Sequence, residues 1–112
     1  MKKIEAIIRP EKFEEVQKAI EQVGYTGLTV TEIQGHGAQK GIVQQWRGDQ
    51  YRVSLINKMK LEIVCKDVVV QKLVDAIVEA ARTGEVGDGK IFVSTIDQAT
   101  RIRSGETGEK AL

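Results

Sequence analysis

A short segment at residues 83–90 has the composition of an anion-binding loop. It reads Thr-Gly-Glu-Val-Gly-Asp-Gly-Lys and places three glycines before Lys90. Glycine lets successive backbone N–H groups converge on one anion, and a lysine adds positive charge. The chemistry that this segment favours is therefore phosphate binding.

The same segment does not match a complete Walker loop. Residues 84–90 fit the first part of that motif, but Ile91 follows where a serine or threonine must hold magnesium. The segment also leads from a predicted helix into a predicted strand, so no helix N-terminus follows to stabilise a phosphate. Without another signal, a glycine-rich turn with an exposed lysine is an equally good interpretation.

Two arginines near the C-terminus give a second signal. Arg101 and Arg103 flank Ile102, and in an extended segment this spacing points both guanidinium groups the same way. Two planar, permanently charged groups suit a polyphosphate better than a single carboxylate. Taken alone, a solvated basic stretch is the simpler interpretation.

Length and composition limit the classes of protein. A chain of 112 residues suits one domain, and 17 Lys and Arg against 16 Asp and Glu provide no bulk charge for nucleic acid or anionic lipid. No apolar run exceeds three residues, so we expect no membrane helix and a cytoplasmic location. Cys65 is the only cysteine, which excludes an intrachain disulfide, and its strand-like position predicts a core residue.

Hydrophobic periodicity predicts strands at residues 2–9, 28–34, 59–66 and 91–96. Helical spacing predicts a first helix between Pro10 and Gly24, and a second helix that is capped by Asp67 and ends near Arg82. The order strand, helix, strand, strand, helix, strand is that of the α+β ferredoxin-like sandwich, in which both helices cover one sheet face.

The other sheet face is too apolar for water and too polar for a dry core, so we expect it to form a subunit interface. Its predicted residues are Ile7, Thr29, Thr31, Ile33, Glu62 and Val64. Between the second and third strands, roughly twenty residues with little periodicity predict a long loop of the kind that is functional or disordered.

Three motifs carry a resemblance to a known family. Thr-x-x-x-Gly-Asp-Gly-Lys-Ile-Phe-Val at residues 83–93 resembles the C-terminal signature of the PII nitrogen-regulatory signalling proteins. Ile-Arg-Pro-Glu-Lys at residues 8–12 resembles their first strand-helix junction, and the likeness continues to Arg-Ile-Arg-Ser-Gly-Glu at residues 101–106. It spans essentially the whole chain.

The resemblance implies one PII-like domain over residues 1–112 that assembles as a homotrimer. It places a long flexible T-loop at about residues 37–55 between the second and third strands, a glycine-rich B-loop at residues 83–90 and a C-terminal segment at about residues 97–112.

The resemblance further implies that ATP or ADP binds in a cleft between neighbouring subunits. An arginine is frequent in the family at the position of Ala38, so one nucleotide contact is absent here. The residues expected at the nucleotide are Thr29, Gly35, Gly37, Ala38, Val64, Gly87, Asp88, Gly89, Lys90, Arg101 and Arg103.

The base of the T-loop is expected, by the same resemblance, to bind 2-oxoglutarate. Gln39 would offer its amide oxygen to a Mg²⁺ ion shared with ATP and the oxo acid, and Lys58 would pair with the far carboxylate. One neutral amide is a weak magnesium site by itself, so metal, nucleotide and oxo acid should bind together. The other expected contacts are Arg9, Gly37, Lys40 and Gly41.

The tip of the T-loop contains Trp46, Arg47 and Tyr51, residue types that dominate interface hot spots. The resemblance implies an ammonium channel or nitrogen-assimilation enzymes as partners, with membrane association only through a channel, and nucleotidyl modification of Tyr51 in some lineages. Trp46 stands where tyrosine is common, and Asp49 replaces a serine that is phosphorylated in some relatives.

The function expected from the sequence is a non-enzymatic sensor of ATP, ADP and 2-oxoglutarate that acts through its T-loop. The alternative is a small phosphate-binding ferredoxin-like enzyme, an ATPase or phosphatase, which lacks a nucleophile paired with a base. An RNA-recognition module would need aromatic residues on its central strands, and residues 28–34 and 60–66 contain none.

Overall fold

The computed structural model describes residues 1–36, 43–46, 49–52 and 55–112. It contains six strands and two α-helices. In chain order these are β1 (Lys2–Ile8), α1 (Phe13–Val23), β2 (Thr29–His36), β3 (Val43–Trp46), β4 (Asp49–Arg52), β5 (Leu55–Cys65), α2 (Val70–Ala81) and β6 (Lys90–Thr95).

Four of the strands form one antiparallel sheet in the order β2-β5-β1-β6. The two central strands are thus β5 and β1, and the two βα units interleave as they do in a split βαβ arrangement. Both helices supply buried residues to the core on one face of this sheet. The ferredoxin-like α+β fold predicted from the sequence is confirmed.

The core lies between the sheet and the helices because alternate strand residues and one stripe of each helix are apolar. Ile4, Ala6 and Ile8 of β1 are buried. Cys65, at the end of β5, is fully buried as predicted, and this burial raises the pKa of its thiol. The other buried core residues are Leu61 and Ile63 of β5, Val16 and Ile20 of α1, and Leu73, Ile77 and Ala81 of α2.

The first helix lies between the two residues that the sequence predicted, whereas the second helix begins differently. Pro10 opens a short 3-10 turn before α1, and Gly24 ends α1 in the left-handed region with φ of 108°. Asp67, however, does not cap α2, because a 3-10 turn at Asp67–Val69 precedes the helix and no side chain caps it.

The carboxylate of Asp67 binds the N-terminal ammonium of Met1 at 2.9 Å instead, and this contact lowers the pKa of Asp67. The pairing of Lys2 with Cys65 explains the partner, since it places the chain terminus beside the end of β5.

The two strands that flank the predicted T-loop at about residues 37–55 are longer than predicted and extend to its edges. Strand β2 continues to His36 and β5 begins at Leu55, so the two strands stay paired four residues beyond the predicted start of the third strand at Met59. Strands β3 and β4 form a separate hairpin in which Trp46 pairs with Asp49 and Gln44 with Tyr51. Backbone pairing needs no apolar alternation, which explains why periodicity did not predict these strands.

The helix-free sheet face carries all six residues that the sequence placed there, because directly paired residues share a face. It also carries ion pairs that were not predicted. Lys3 contacts Glu62 at 2.7 Å, and Lys60 lies 3.6 Å from Glu5 and 3.7 Å from Glu62. The centre of this face is therefore charged but locally balanced.

Neither helix in the described part of the chain is long and apolar enough to cross a membrane.

Candidate functional site

The B-loop connects the end of α2 to β6 through backbone conformations that favour glycine. Gly84, Gly87 and Gly89 have φ values of 87°, 103° and 100°. L-residues rarely adopt such values, so the three glycines are needed for the path of the chain.

The position of Gly89 also has no room for a side chain. A Cβ atom built on Gly89 would lie 1.7 Å from the carbonyl oxygen of Ile7 and 2.8 Å from its carbonyl carbon. The B-loop backbone therefore packs directly against the end of β1, two residues before Arg9. This close approach positions the loop against the sheet.

The carboxylate of Asp88 organises the loop from inside. Its oxygens accept hydrogen bonds from the backbone N–H groups of Thr83 at 2.8 Å and Gly84 at 2.9 Å, and from the Thr83 hydroxyl. Arg9 Nε adds a fourth donor at 3.1 Å. These hydrogen bonds, those from Thr83 first, hold the pKa of Asp88 well below its usual range.

This arrangement limits what Asp88 can offer a phosphate. Its carboxylate is satisfied within the loop and would repel an anion, so only its backbone N–H can serve as a donor to one. Thr83 belongs to the motif but received no role from the sequence. A hydroxyl residue five positions before an aspartate in a glycine-rich turn is the signal that would have predicted one.

Two cations lie beside the B-loop. Arg9 Nη2 donates to the carbonyl oxygen of Val86 at 2.9 Å, and Lys58 Nζ donates to that of Gly87. The pKa of Lys58 is lowered, first by its partial burial and then by the positive charge of Arg9. Strand β1 ends just before Arg9 and β5 contains Lys58, so adjacent central strands supply both cations.

A groove of about 460 Å³ opens between the B-loop and the ends of β2 and β5. It brings together six of the residues expected at the site, namely Gly35, Lys58, Gly87, Asp88, Gly89 and Lys90. Sequence reasoning missed its other lining residues Ile7, Ile33, His36, Glu85, Val86 and Phe92. The strand register would have identified two of these residues, because Ile7 pairs with Lys90 and Ile33 pairs with Lys58.

Other expected residues lie at the opposite end of the sheet. Val64 pairs with Lys3, whereas Lys58 pairs with Ile33, and the six intervening strand steps span on the order of 20 Å. Thr29 pairs with Glu62 and therefore lies towards the Val64 end. One subunit does not bring these residues to the groove at the B-loop.

The arginine pair also follows β6 from that far end, since Thr95 pairs with Lys2. The extended geometry assumed for Arg101 and Arg103 is wrong. The N–H of Gly105 donates to the Arg101 carbonyl at 2.8 Å, which closes a turn, and Gly105 has a positive φ of 75°.

The side chain of Arg101 contacts its own segment within this turn. Its Nη2 donates to the Leu112 carbonyl at 3.0 Å and its Nη1 lies 3.5 Å from Glu106. The roles of both arginines at a nucleotide stay predictions.

Several predicted site residues lie outside the described residues: Gly37, Ala38, Gln39, Lys40, Gly41 and Arg47. Trp46 and Tyr51 are placed by backbone pairing alone, in β3 and β4. Among the residues that are described, no three His, Cys, Asp or Glu side chains cluster as a metal site.

The family model described as "Nitrogen regulatory protein P-II" matches residues 1–106. The chain belongs to the P-II family.

Curated relatives align over its full length. It is 54% identical to "Nitrogen regulatory protein P-II 2" of Methanothermobacter thermautotrophicus, covering 97% of that protein. It is also 54% identical to "Nitrogen regulatory protein P-II" of Bradyrhizobium diazoefficiens and 51% identical to that of Microchaete diplosiphon, covering all of both. P-II membership supports a role in nitrogen signalling, and the naming of these relatives as regulatory proteins fits a protein that is not an enzyme.

The two glycines at either end of the B-loop provide a matched test of its packing. Both have positive φ, but only at Gly89 would a Cβ collide with backbone, while Gly84 has open space around it. We expect Gly89→Ala to lower the free energy of unfolding by more than Gly84→Ala, which carries only the strain of about 1–2 kcal/mol typical of this φ region. Chemical denaturation at one fixed protein concentration measures both. Equal losses would contradict the close approach of Gly89 to Ile7.

The hydrogen bonds of Asp88 predict an acid dependence. Because the folded-state pKa is depressed, Asp88 stabilises the fold fully above its unfolded pKa of about 3.9, and this contribution declines steadily as the pH falls from that value towards the folded-state pKa. Asp88→Asn should therefore be less stable than the wild type near pH 6, and the difference should narrow towards pH 3. Urea denaturation across this range measures it, with Asp75→Asn on α2 as the control. A difference independent of pH would contradict the assignment.

Proposed function

We propose that this chain is a cytoplasmic regulator of nitrogen metabolism that binds ATP or ADP at the B-loop. The observation that carries the proposal is the groove in which Lys58 and Lys90 meet a glycine-rich loop. The carboxylate of Asp88 accepts hydrogen bonds from within the loop. A phosphate in the groove would therefore contact lysine ammonium groups and backbone N–H donors.

The proposed nucleotide site is completed by a neighbouring subunit. Thr29, Val64 and the segment with Arg101 and Arg103 lie at the end of the sheet away from Lys90. A cleft between two copies of the chain can place this end of one copy against the B-loop of the next. We therefore propose a homotrimer in which the helix-free faces pack together, as the family resemblance implies.

The proposed second ligand is 2-oxoglutarate at the base of the T-loop. Lys58 lies in the groove with Gly35 and the B-loop, so a carboxylate bound by Lys58 would be next to a bound nucleotide. Gln39 would complete the site through a Mg²⁺ ion shared with ATP and the oxo acid. The shared ion would make binding of the oxo acid depend on ATP.

The proposed output is a change at the T-loop that binds or releases a target. Trp46 and Tyr51 belong to the paired strands β3 and β4, and Arg47 lies between these strands in sequence. The proposed targets are an ammonium channel or enzymes of nitrogen assimilation. Ligands can shift this output only by binding one T-loop state better than the other.

An ATPase or phosphatase at the same loop has less support. Asp88 is the carboxylate of the B-loop nearest the glycines Gly87 and Gly89, and four donors already occupy its oxygens. A general base needs a free acceptor within reach of the attacking water.

Assembly through the helix-free face is tested by sedimentation. Phe92 on β6 faces the side of Glu5 and is 52% exposed in the single chain. We expect the wild type to sediment as a trimer at micromolar concentration, and Phe92→Glu to shift it towards monomer because a charge would be buried. Val68→Glu is the control, since Val68 is 87% exposed next to α2. A wild type that stays monomeric at high micromolar concentration would contradict the trimer.

Calorimetric titration of 2-oxoglutarate with Mg²⁺ tests the coupled sensor. We expect binding when ATP is saturating and none when nucleotide is absent, because the oxo acid would depend on a Mg²⁺ ion that binds with ATP. Gln39→Ala should abolish binding of the oxo acid while ATP still binds, and Gln22→Ala on the exposed side of α1 should leave both unchanged. If 2-oxoglutarate fails to bind in either condition, the chain is a sensor of adenylates alone.

A further inference from the structure

The two cations beside the B-loop contact it through its carbonyl groups. Arg9 donates to the carbonyl of Val86 and Lys58 to that of Gly87. These carbonyls belong to consecutive peptide groups, the first joining residues 86 and 87 and the second joining residues 87 and 88. Each cation therefore sets the orientation of one peptide group in the loop.

The planarity of the peptide group transmits this orientation to the other side. The C=O and N–H bonds of a trans peptide point in opposite directions, and no peptide bond is cis among the residues that the structure describes, the B-loop included. A cation that holds the Val86 carbonyl directs the Gly87 N–H away from itself, and one that holds the Gly87 carbonyl does the same for the Asp88 N–H. The register that pairs Ile8 with Met59 places Arg9 beside Lys58, so the two carbonyls are held by neighbouring side chains.

The two N–H groups directed away from the cations make few contacts within the loop. In the part of the chain that the structure describes, the Gly87 N–H has no hydrogen-bond partner, and the Asp88 N–H has none apart from the weak closure of the turn at Val86 and Gly87. Adjacent N–H groups at a residue with positive φ, here Gly87 at 103°, form the kind of concave donor pair that binds anions.

Arg9 connects this pair to the rest of the loop. Its Nε donates to Asp88 and its Nη2 to the Val86 carbonyl, so one planar guanidinium holds both halves of the turn. A lysine has a single ammonium group on a flexible stem and cannot reproduce this fork. The identity of residue 9 as arginine is therefore part of the geometry.

We propose that Arg9 and Lys58 are positioning residues that orient the N–H groups of Gly87 and Asp88 as donors to the phosphates of an adenine nucleotide. This inference rests on the proposed nucleotide site, and it requires neither side chain to touch the phosphates. It also links the nucleotide site to the proposed 2-oxoglutarate site. A carboxylate that pairs with Lys58 would remove the hydrogen-bond donor from the Gly87 carbonyl.

Calorimetric titration with ADP and with adenosine, without Mg²⁺ or 2-oxoglutarate, separates positioning from a general loss of structure. Arg9→Lys and Lys58→Met should each weaken ADP binding by about tenfold, the effect of losing one hydrogen bond from a charged group. Adenosine has no phosphate, so its binding should be unchanged. Lys72→Met on the exposed side of α2 is the matched control and should bind ADP like the wild type.

Amide NMR spectra with inorganic pyrophosphate test each peptide group separately. In the wild type, the Gly87 and Asp88 amide signals should both shift on titration. Lys58→Met should reduce the shift of Asp88 more than that of Gly87, and Arg9→Lys should do the reverse. Because the readout is a single amide, partial loss of stability elsewhere does not obscure it.

Different results overturn different claims. Variants that bind ADP as tightly as the wild type, or that lose adenosine and ADP binding equally, would overturn the positioning roles while leaving the nucleotide site in place. A wild type that binds no ADP would overturn the proposed function and this inference with it.

Discussion

The carboxylate of Asp88 is the contact on which the B-loop depends. It accepts hydrogen bonds from Thr83 and Gly84 at the start of the loop and from Arg9 at the end of β1. One side chain thereby ties the end of α2, the start of β6 and the central strand β1 to each other. With those three held together, Gly89 packs against the Ile7 carbonyl, and the Gly87 N–H makes no hydrogen bond within the described part of the loop.

The strand order explains why the cations converge on this loop. Strands β5 and β1 are neighbours at the centre of the sheet, and β6 pairs with β1 on its other side. The B-loop enters β6 at Lys90, opposite Ile7, so it arrives directly above the end of β1. Arg9, two residues beyond Ile7, and Lys58, on the adjacent strand, then reach it from one direction. The position of each charge thus follows from the topology of the sheet and the pairing register.

Most of the fold could be predicted from the sequence, because alternation and helical spacing report directly which residues are buried. The misses have physical causes. Asp67 was assigned to a helix cap, but the N-terminal ammonium is brought beside it by the pairing of Lys2 with Cys65, a contact between residues far apart in sequence. Strands β3 and β4 and the extension of β5 to Leu55 are held by backbone pairing, which leaves no apolar pattern.

The candidate site was predictable in part for the same reason. The glycines and Lys90 could be identified because local conformation and charge are properties of one segment. The hydrogen bonds of Asp88 within the loop could not be predicted, nor could those from Arg9 and Lys58 to two loop carbonyls. They depend on which strand ends lie next to the loop. The turn at Arg101 was also missed, because Gly105 sets it with a positive φ that the i, i+2 spacing of the arginines does not reveal.

The distribution of charge on the helix-free face gives the two ends of the sheet different chemistry. At its centre, Lys3 and Lys60 are balanced by Glu5 and Glu62 within 3.7 Å. Near the B-loop, Asp88 is the acid that pairs with Arg9, and Lys58 is held by a carbonyl, which is neutral. Lys90 and Glu85 also line the groove there, so side chains of both signs surround the place where an anion would bind. If neighbouring copies bring Arg101 and Arg103 to that end, the cleft between them gains two guanidinium groups that a bound polyphosphate would contact. Assembly and nucleotide binding would then stabilise each other, because each supplies the charges that the other needs.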